Sequence, residues 1–239
     1  MCTGRSNRSG RAWREIREIK VADETARLIE HLVADARPVH RLRPPAVRAG
    51  LWLLAVAAIG AVVIGAFADM DMFRHRIGDW ALVVELAATC VTGIAAVLAA
   101  FELSMPDRSS AWALLPLPSL GIWIGSSGYA CYRNWVLSGP TGWELGESAD
   151  CLKFILATGI PLAVGLLIVL RRAKTLTPIR VTVVGALGVS ALAAAALQFF
   201  HPFDVTVIDL GVHLLAVMIV VLTMTAAERL VTPRKARLS

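Results

Sequence analysis

Charge is scarce in this chain. Asp, Glu, Lys and Arg make up 18 % of its 239 residues, against roughly 25 % in soluble domains. No stretch outside its apolar runs is longer than about 50 residues, which excludes a large extramembrane catalytic domain. Cysteine is limited to four residues, none in a CxxC or zinc-finger spacing. That excludes a CxxC thiol oxidoreductase and a disulfide-stapled miniprotein. No basic groove interleaved with stacking aromatics is present, so direct nucleic-acid binding is not expected. The first apolar run is of full membrane length and lacks an A-x-A cleavage site, so it does not read as a signal peptide. No internal repeat marks a two-half transporter, and the spans hold too few protonatable groups for a proton pump.

What is present is apolar surface, at 56 % of residues against roughly 45–50 % in soluble chains. A bilayer core takes about 20 apolar residues per helix. Six runs qualify, at 50–68, 80–101, 111–132, 151–170, 181–200 and 206–227. The fold class expected is therefore all-α, a polytopic membrane protein with six transmembrane helices. Four segments follow: a disordered basic tail (1–21), an amphipathic helix and basic collar (22–48), the transmembrane domain (49–228) and a second basic tail (229–239). Twenty of the 24 Lys and Arg residues lie on one side of this six-span arrangement. The positive-inside rule places that side, and both termini, in the cytoplasm. The net charge of +6 is then mainly a topology signal.

Ahead of the spans, ADETARLIEHLVADA at 22–36 is patterned. At 100° per residue, Thr25, Ala26, Leu28, Ile29, Leu32, Val33 and Ala36 fall in one arc of about 160°. Asp23, Glu24, Arg27, Glu30, His31 and Asp35 fall opposite. Asp23 or Thr25 is placed to cap the helix and Pro38 to stop it. Membrane-surface helices usually carry Lys and Arg on the polar face, whereas this face is acidic and an anionic leaflet would repel it. Leu28, Ile29, Leu32 and Val33 therefore read as the contact surface for a protein partner, docked as a helix in a groove. The arginine-rich stretch that follows, RPVHRLRPPAVR, forms a collar at the membrane.

Cys131 and Cys151 fall on the external face at either end of the longest external connection, 133–150. Two readings stay open for them: a redox or thiophilic-metal sensor, and a permanent structural disulfide. Cys90 sits mid-span, where a thiol is usually inert. Glu85, in the second span, and Asp209 and His213, in the sixth, are ionisable at membrane depth. Each is a functional candidate, set against a simpler role as a polar contact that fixes helix packing. Pro116 and Pro118 would kink the third span and Pro161 interrupts the fourth.

RPVHRLRPPAVRAGLWLL at 37–54, WALLPLPSLGIW at 112–123, GYACYRNW at 128–135, LGESADCLKF at 145–154 and FHPFD before His213 together resemble NrsF, a family of six-span inner-membrane anti-sigma factors of proteobacteria. The resemblance covers about 22–228. It implies a non-catalytic regulator, without cofactor, in the bacterial inner membrane. The N-terminal segment of such a protein holds an extracytoplasmic-function sigma factor. Cys131 and Cys151 then take part in a response to heavy metal or oxidative stress. Chains of the family usually begin shortly before the acidic helix, and a GTG start at Val21 would remove residues 1–20, so no function is assigned to them. The competing reading is a small six-span transporter or channel with a structural external disulfide. A sigma-factor gene next door would favour the regulator.

Overall fold

The computed structural model describes residues 20–21, 23–34, 42–138, 145–173, 177–200 and 207–231. The chain divides into two units, Met1–Leu42 and Arg43–Ser239. The expected disorder of the N-terminal tail before Lys20, and the C-terminal tail beyond residue 231, lie outside the described residues.

In the first unit, residues 20–21 and 23–34 are helical (α1). The helix is under way before the expected caps. Thr25 Oγ1 donates to the Val21 carbonyl at 2.7 Å, a bond made from inside a helix rather than at its start. Asp23 pairs with Arg27 one turn on, at 3.0 Å. Neither residue is therefore the N-cap.

The second unit contains α2 (Pro45–Phe67), α3 (Met70–Arg76), α4 (Trp80–Leu103), a 3-10 turn (Ser110–Leu114), α5 (Leu117–Ser138), α6 (Leu145–Arg171), α7 (Pro178–Leu197) and α8 (Val207–Val231). Local chemistry sets several of the starts. Pro45 and Pro178 open α2 and α7, where the missing N–H costs nothing. Asp69 caps α3 by accepting from Asp71 and Met72, and Asp79 caps α4 by accepting from the Ala81 N–H at 3.0 Å.

Among the described residues, five helices are long and apolar enough to cross a bilayer: α2, α4, α6 from Asp150, α7, and α8 from Gly211. Together they make this a polytopic helical membrane protein. The count is five, not the expected six. The run at 111–132 is split by a 3-10 turn, and α5 carries Ser119, Gly121, Gly125, Ser126, Ser127, Gly128 and Arg133. It is long enough but too polar to qualify. Pro116 lies in the turn before α5 and Pro118 in its first turn, so they start this helix rather than kink it. Pro161 does lie within α6.

The outward faces suit lipid. Leu51, Leu54, Ile59 and Val62 of α2 are 49–72 % exposed, a row that hydrocarbon accommodates and water does not. Inside, α4 and α7 pack most closely. A Cβ on Gly188 would lie 3.0 Å from the Val97 amide nitrogen and 3.1 Å from the Gly93 carbonyl oxygen, so these two backbones meet across small residues. Val97, Phe101, Leu166, Leu170, Val181, Val189 and Val220 complete the core.

Contacts between helix ends sort the unit into two ends. At one, Arg48 donates to the Val169 carbonyl at 2.7 Å and lies over the Phe101 ring, and Arg171 pairs with Glu228 at 3.1 Å. At the other, Asp79 pairs with Arg133, Phe73 stacks on Phe199 at 4.4 Å, and Phe154 meets Phe200 at 5.1 Å. The helix α5 runs along α4 from the first end to the second.

Candidate functional sites

Along α1, Leu28, Ile29, Leu32 and Val33 share one face, and each is 55–68 % exposed. Burying one such side chain is worth about 1.5–3 kcal/mol, so an uncovered row of four is a large unused contact surface. The opposite face carries Asp23, Glu24 and Glu30 against Arg27. Asp35 and Ala36, included in the expected helix, lie outside the described residues.

The cysteines are set deeper in their helices than their flanking sequence suggested. Cys131 lies seven residues before the end of α5 and Cys151 six residues after the start of α6. The expected 133–150 loop therefore contracts to the residues between Ser138 and Leu145. Both thiols are buried, at 8 % and 1 % exposure. Cys151 packs with Ile155, Ala193, Leu197 and Ala216, a cluster that does not include Cys131. The neighbours Arg133 and Phe154 place both cysteines at the Asp79 end of the unit. Cys90 lies in the middle of α4.

The carboxyl of Glu85 is buried on α4, and its Oε1 accepts from Ser127 Oγ of α5 at 2.7 Å. This is a polar contact between helices, of the kind weighed for it from sequence. Glu85 and His213 of α8 line one cavity among α4, α5, α7 and α8. The side chain of Asp209 lies outside the described residues.

Two charged contacts were not legible in the sequence. Asp79 caps α4 and also pairs with Arg133 on α5. Its carboxyl is held below the usual carboxylate range, first by the hydrogen bond from Arg133 and then by that from the Ala81 amide, with burial opposing. Arg48, read from sequence as part of a basic collar at the membrane, lies in the first turn of α2 and is only 8 % exposed. Neither has a linear motif. The only available signal was position: an acid immediately before an apolar run, and an arginine immediately after two prolines.

Among the described residues no three His, Cys, Asp or Glu side chains are grouped to hold a metal ion. A comparison with protein families matches residues 32–237 to the family described as NrsF, negative regulator of sigma F. The match begins at Leu32, so it includes Val33 but not Leu28 or Ile29. Comparisons with curated proteins and with solved structures gave no match.

Proposed function

Because the chain belongs to the NrsF family of negative regulators of sigma F, we propose that it is a non-enzymatic, membrane-bound anti-sigma factor of the bacterial inner membrane. The exposed apolar face of α1 holds an extracytoplasmic-function sigma factor, and an envelope stress registered at Cys131 and Cys151 releases it. The observation that carries this reading is the uncovered row Leu28, Ile29, Leu32 and Val33 on a helix whose other face is acidic. Promoter-binding surfaces of sigma factors are basic, because they meet phosphates. An acidic helix is steered to such a surface and competes with DNA for it, while the apolar row supplies the affinity.

A route from the cysteines to the sigma-binding segment follows from α6. Cys151 sits near its start. Near its other end, the Val169 carbonyl holds Arg48, in the first turn of α2, which directly follows the N-terminal unit in the chain. Joint ligation of a soft cation by the two thiolates, or their oxidation to a disulfide by an external oxidant that takes up the two electrons and two protons released, ties the outer part of α6 to α5. Pro161 lies in α6 between Cys151 and Val169, so a change in the bend at that proline carries a shift at Cys151 to Arg48.

The test is co-purification of the cognate sigma factor with the full-length protein and with a variant lacking residues 22–36. Recovery with the first and not the second is expected. Equal recovery with both, at equal membrane abundance, removes α1 from the mechanism.

A further inference from the structure

Between α4, α5, α7 and α8 lies a cavity of about 250 Å³. Its two halves differ in chemistry. Toward the Asp79 end stand Glu85, near the start of α4, Ser127 of α5, His213 of α8 and Gln198, the residue that closes α7. Toward the Arg48 end the walls are apolar, from Leu120 of α5, Leu187 of α7 and Val217 of α8, with Trp123 one turn of α5 away from Ser127. Charge in this space is met from within the protein. The Glu85 carboxyl receives the Ser127 hydroxyl at 2.7 Å, and His213 and Arg76 act on it electrostatically. The Thr89 hydroxyl, one turn further along α4, goes to the Glu85 backbone carbonyl at 2.6 Å. Two donors remain. Among the described residues, neither the Gln198 amide nor the Trp123 indole N–H has a hydrogen-bond partner.

A donor at membrane depth finds no bulk water, and leaving it unmet costs free energy. The space therefore suits a ligand with hydrogen-bond acceptors and no charge. Its volume limits the size of that ligand's head. An apolar protein cavity of roughly 150 Å³ takes one benzene ring, so about 250 Å³ holds a single substituted ring. Ile124 and Leu214 line the cavity yet are 56 % and 58 % exposed, and α5 packs on α4 far more than on α8. The opening thus lies between α5 and α8, on a face that meets lipid, where a long apolar tail can leave. We propose that this cavity is a binding site for a neutral lipophile with a carbonyl-bearing ring as its head, the chemistry of a membrane quinone. The ring enters between α5 and α8. Its carbonyl oxygens accept from the Gln198 amide and the Trp123 indole N–H, and its tail stays among the lipid chains. The site lies wholly within the transmembrane unit, so its test is independent of the sigma-factor reading.

Duroquinone, whose free ring positions are all methylated so that it does not add readily to thiols, tests it against hexamethylbenzene. The second compound is the same ring with a methyl group in place of each carbonyl oxygen. Each is equilibrated by dialysis between nanodiscs carrying the full-length protein and empty nanodiscs, and its excess on the protein side is measured by chromatography. A saturable excess of duroquinone is expected, with an affinity about ten-fold higher than that of hexamethylbenzene, as two neutral hydrogen bonds would give. Two variants each remove one donor: Gln198→Leu, and Trp123→Phe, which keeps an aromatic ring in place. Each should cut the preference about three-fold, and a loss in either places the head at that donor. Equal affinity for the two compounds would mark a lipid-tail cavity and overturns the proposal. So does the absence of a saturable duroquinone excess, or a preference unchanged in both variants. The comparison in the unsubstituted protein stands even if a variant does not fold.

Discussion

Single side chains divide here into those that bear on binding and those that bear on the signal. Leu28 and Leu32 lie on the exposed row of α1 and outside the transmembrane unit. A charge placed there opposes docking without touching the spans. Leu28→Asp and Leu32→Asp should each weaken sigma-factor binding by about 1.5–3 kcal/mol, the burial free energy of one leucine, with membrane abundance unchanged. Sigma-dependent promoter output, measured beside an immunoblot, checks both halves, and unchanged repression by both variants would sink the assignment. The cysteines call for a paired measurement. If Cys131 and Cys151 act as one unit, Cys131→Ser and Cys151→Ser should disturb promoter output alike, and the double variant should be no worse than either. A structural disulfide instead lowers abundance, since its loss costs roughly 2–5 kcal/mol in small domains. Cys90→Ser, in mid-helix, should leave output unchanged.

At the scale of elements, the closest approach of helices gives the sharpest test. A methyl on Gly188 would meet the Val97 amide nitrogen at 3.0 Å, and backbone cannot move aside as a side chain can. Gly188→Ala should therefore destabilise the protein by about 1–3 kcal/mol, the usual cost of overpacking. Gly125→Ala, in α5, meets nothing within 4 Å and should be neutral or stabilising by up to about 1 kcal/mol, as Ala is the better helix former. Thermal unfolding in one detergent compares the two, and equal effects would refute the close α4–α7 contact. The Asp79–Arg133 pair joining α4 to α5 has its own signature. The folded carboxyl is held low, chiefly by Arg133. Its stabilising contribution is therefore complete above the ordinary carboxylate range near pH 4 and is lost as pH falls through the lowered value. Both side chains are about one-third exposed, so the pair is worth about 0.2–1 kcal/mol. Asp79→Asn should lower the melting temperature slightly at pH 7, by a constant amount between pH 8 and 5, and the difference should shrink only in stronger acid. A difference that already shrinks between pH 8 and 5 would contradict this. What was legible at this scale was the hydrophobic period: the apolar row of α1 and the runs that became α2, α4, α6, α7 and α8. Caps, cross-helix ion pairs and the Gly93–Gly188 contact were not legible, because each depends on which helices become neighbours, and a period says nothing about neighbours.

For the whole molecule, the question is which end faces the cytoplasm. The structure gathers Arg48 and Arg171 at one end, and Arg133 and the cysteines at the other. The Lys and Arg counts predict cytoplasmic termini, and the apolar runs predict six spans where, among the described residues, five helices meet the length and composition for one. The discrepancy turns on α5, whose serines, glycines and Arg133 make it less apolar than its neighbours. It is also the helix that supplies Ser127 to Glu85 and Arg133 to Asp79. Its polarity is thus used in contacts with α4, and a helix that hides polar groups against a partner need not be apolar all round to lie in a membrane. Orientation measurements decide whether α5 crosses. A topology reporter fused at Gly139, just beyond the end of α5, should be active only when exported, and one fused after Arg229, near the end of α8, only in the cytoplasm. If α5 did not cross, the chain beyond α4 would stay on one side until α6, and Gly139 and Arg108 would then report the same compartment. Export at Gly139 together with cytoplasmic activity at Arg108 requires α5 to traverse the bilayer. Cytoplasmic activity at Gly139 would place Cys131 and Cys151 beside a reducing compartment and remove the external stress signal from the proposed mechanism.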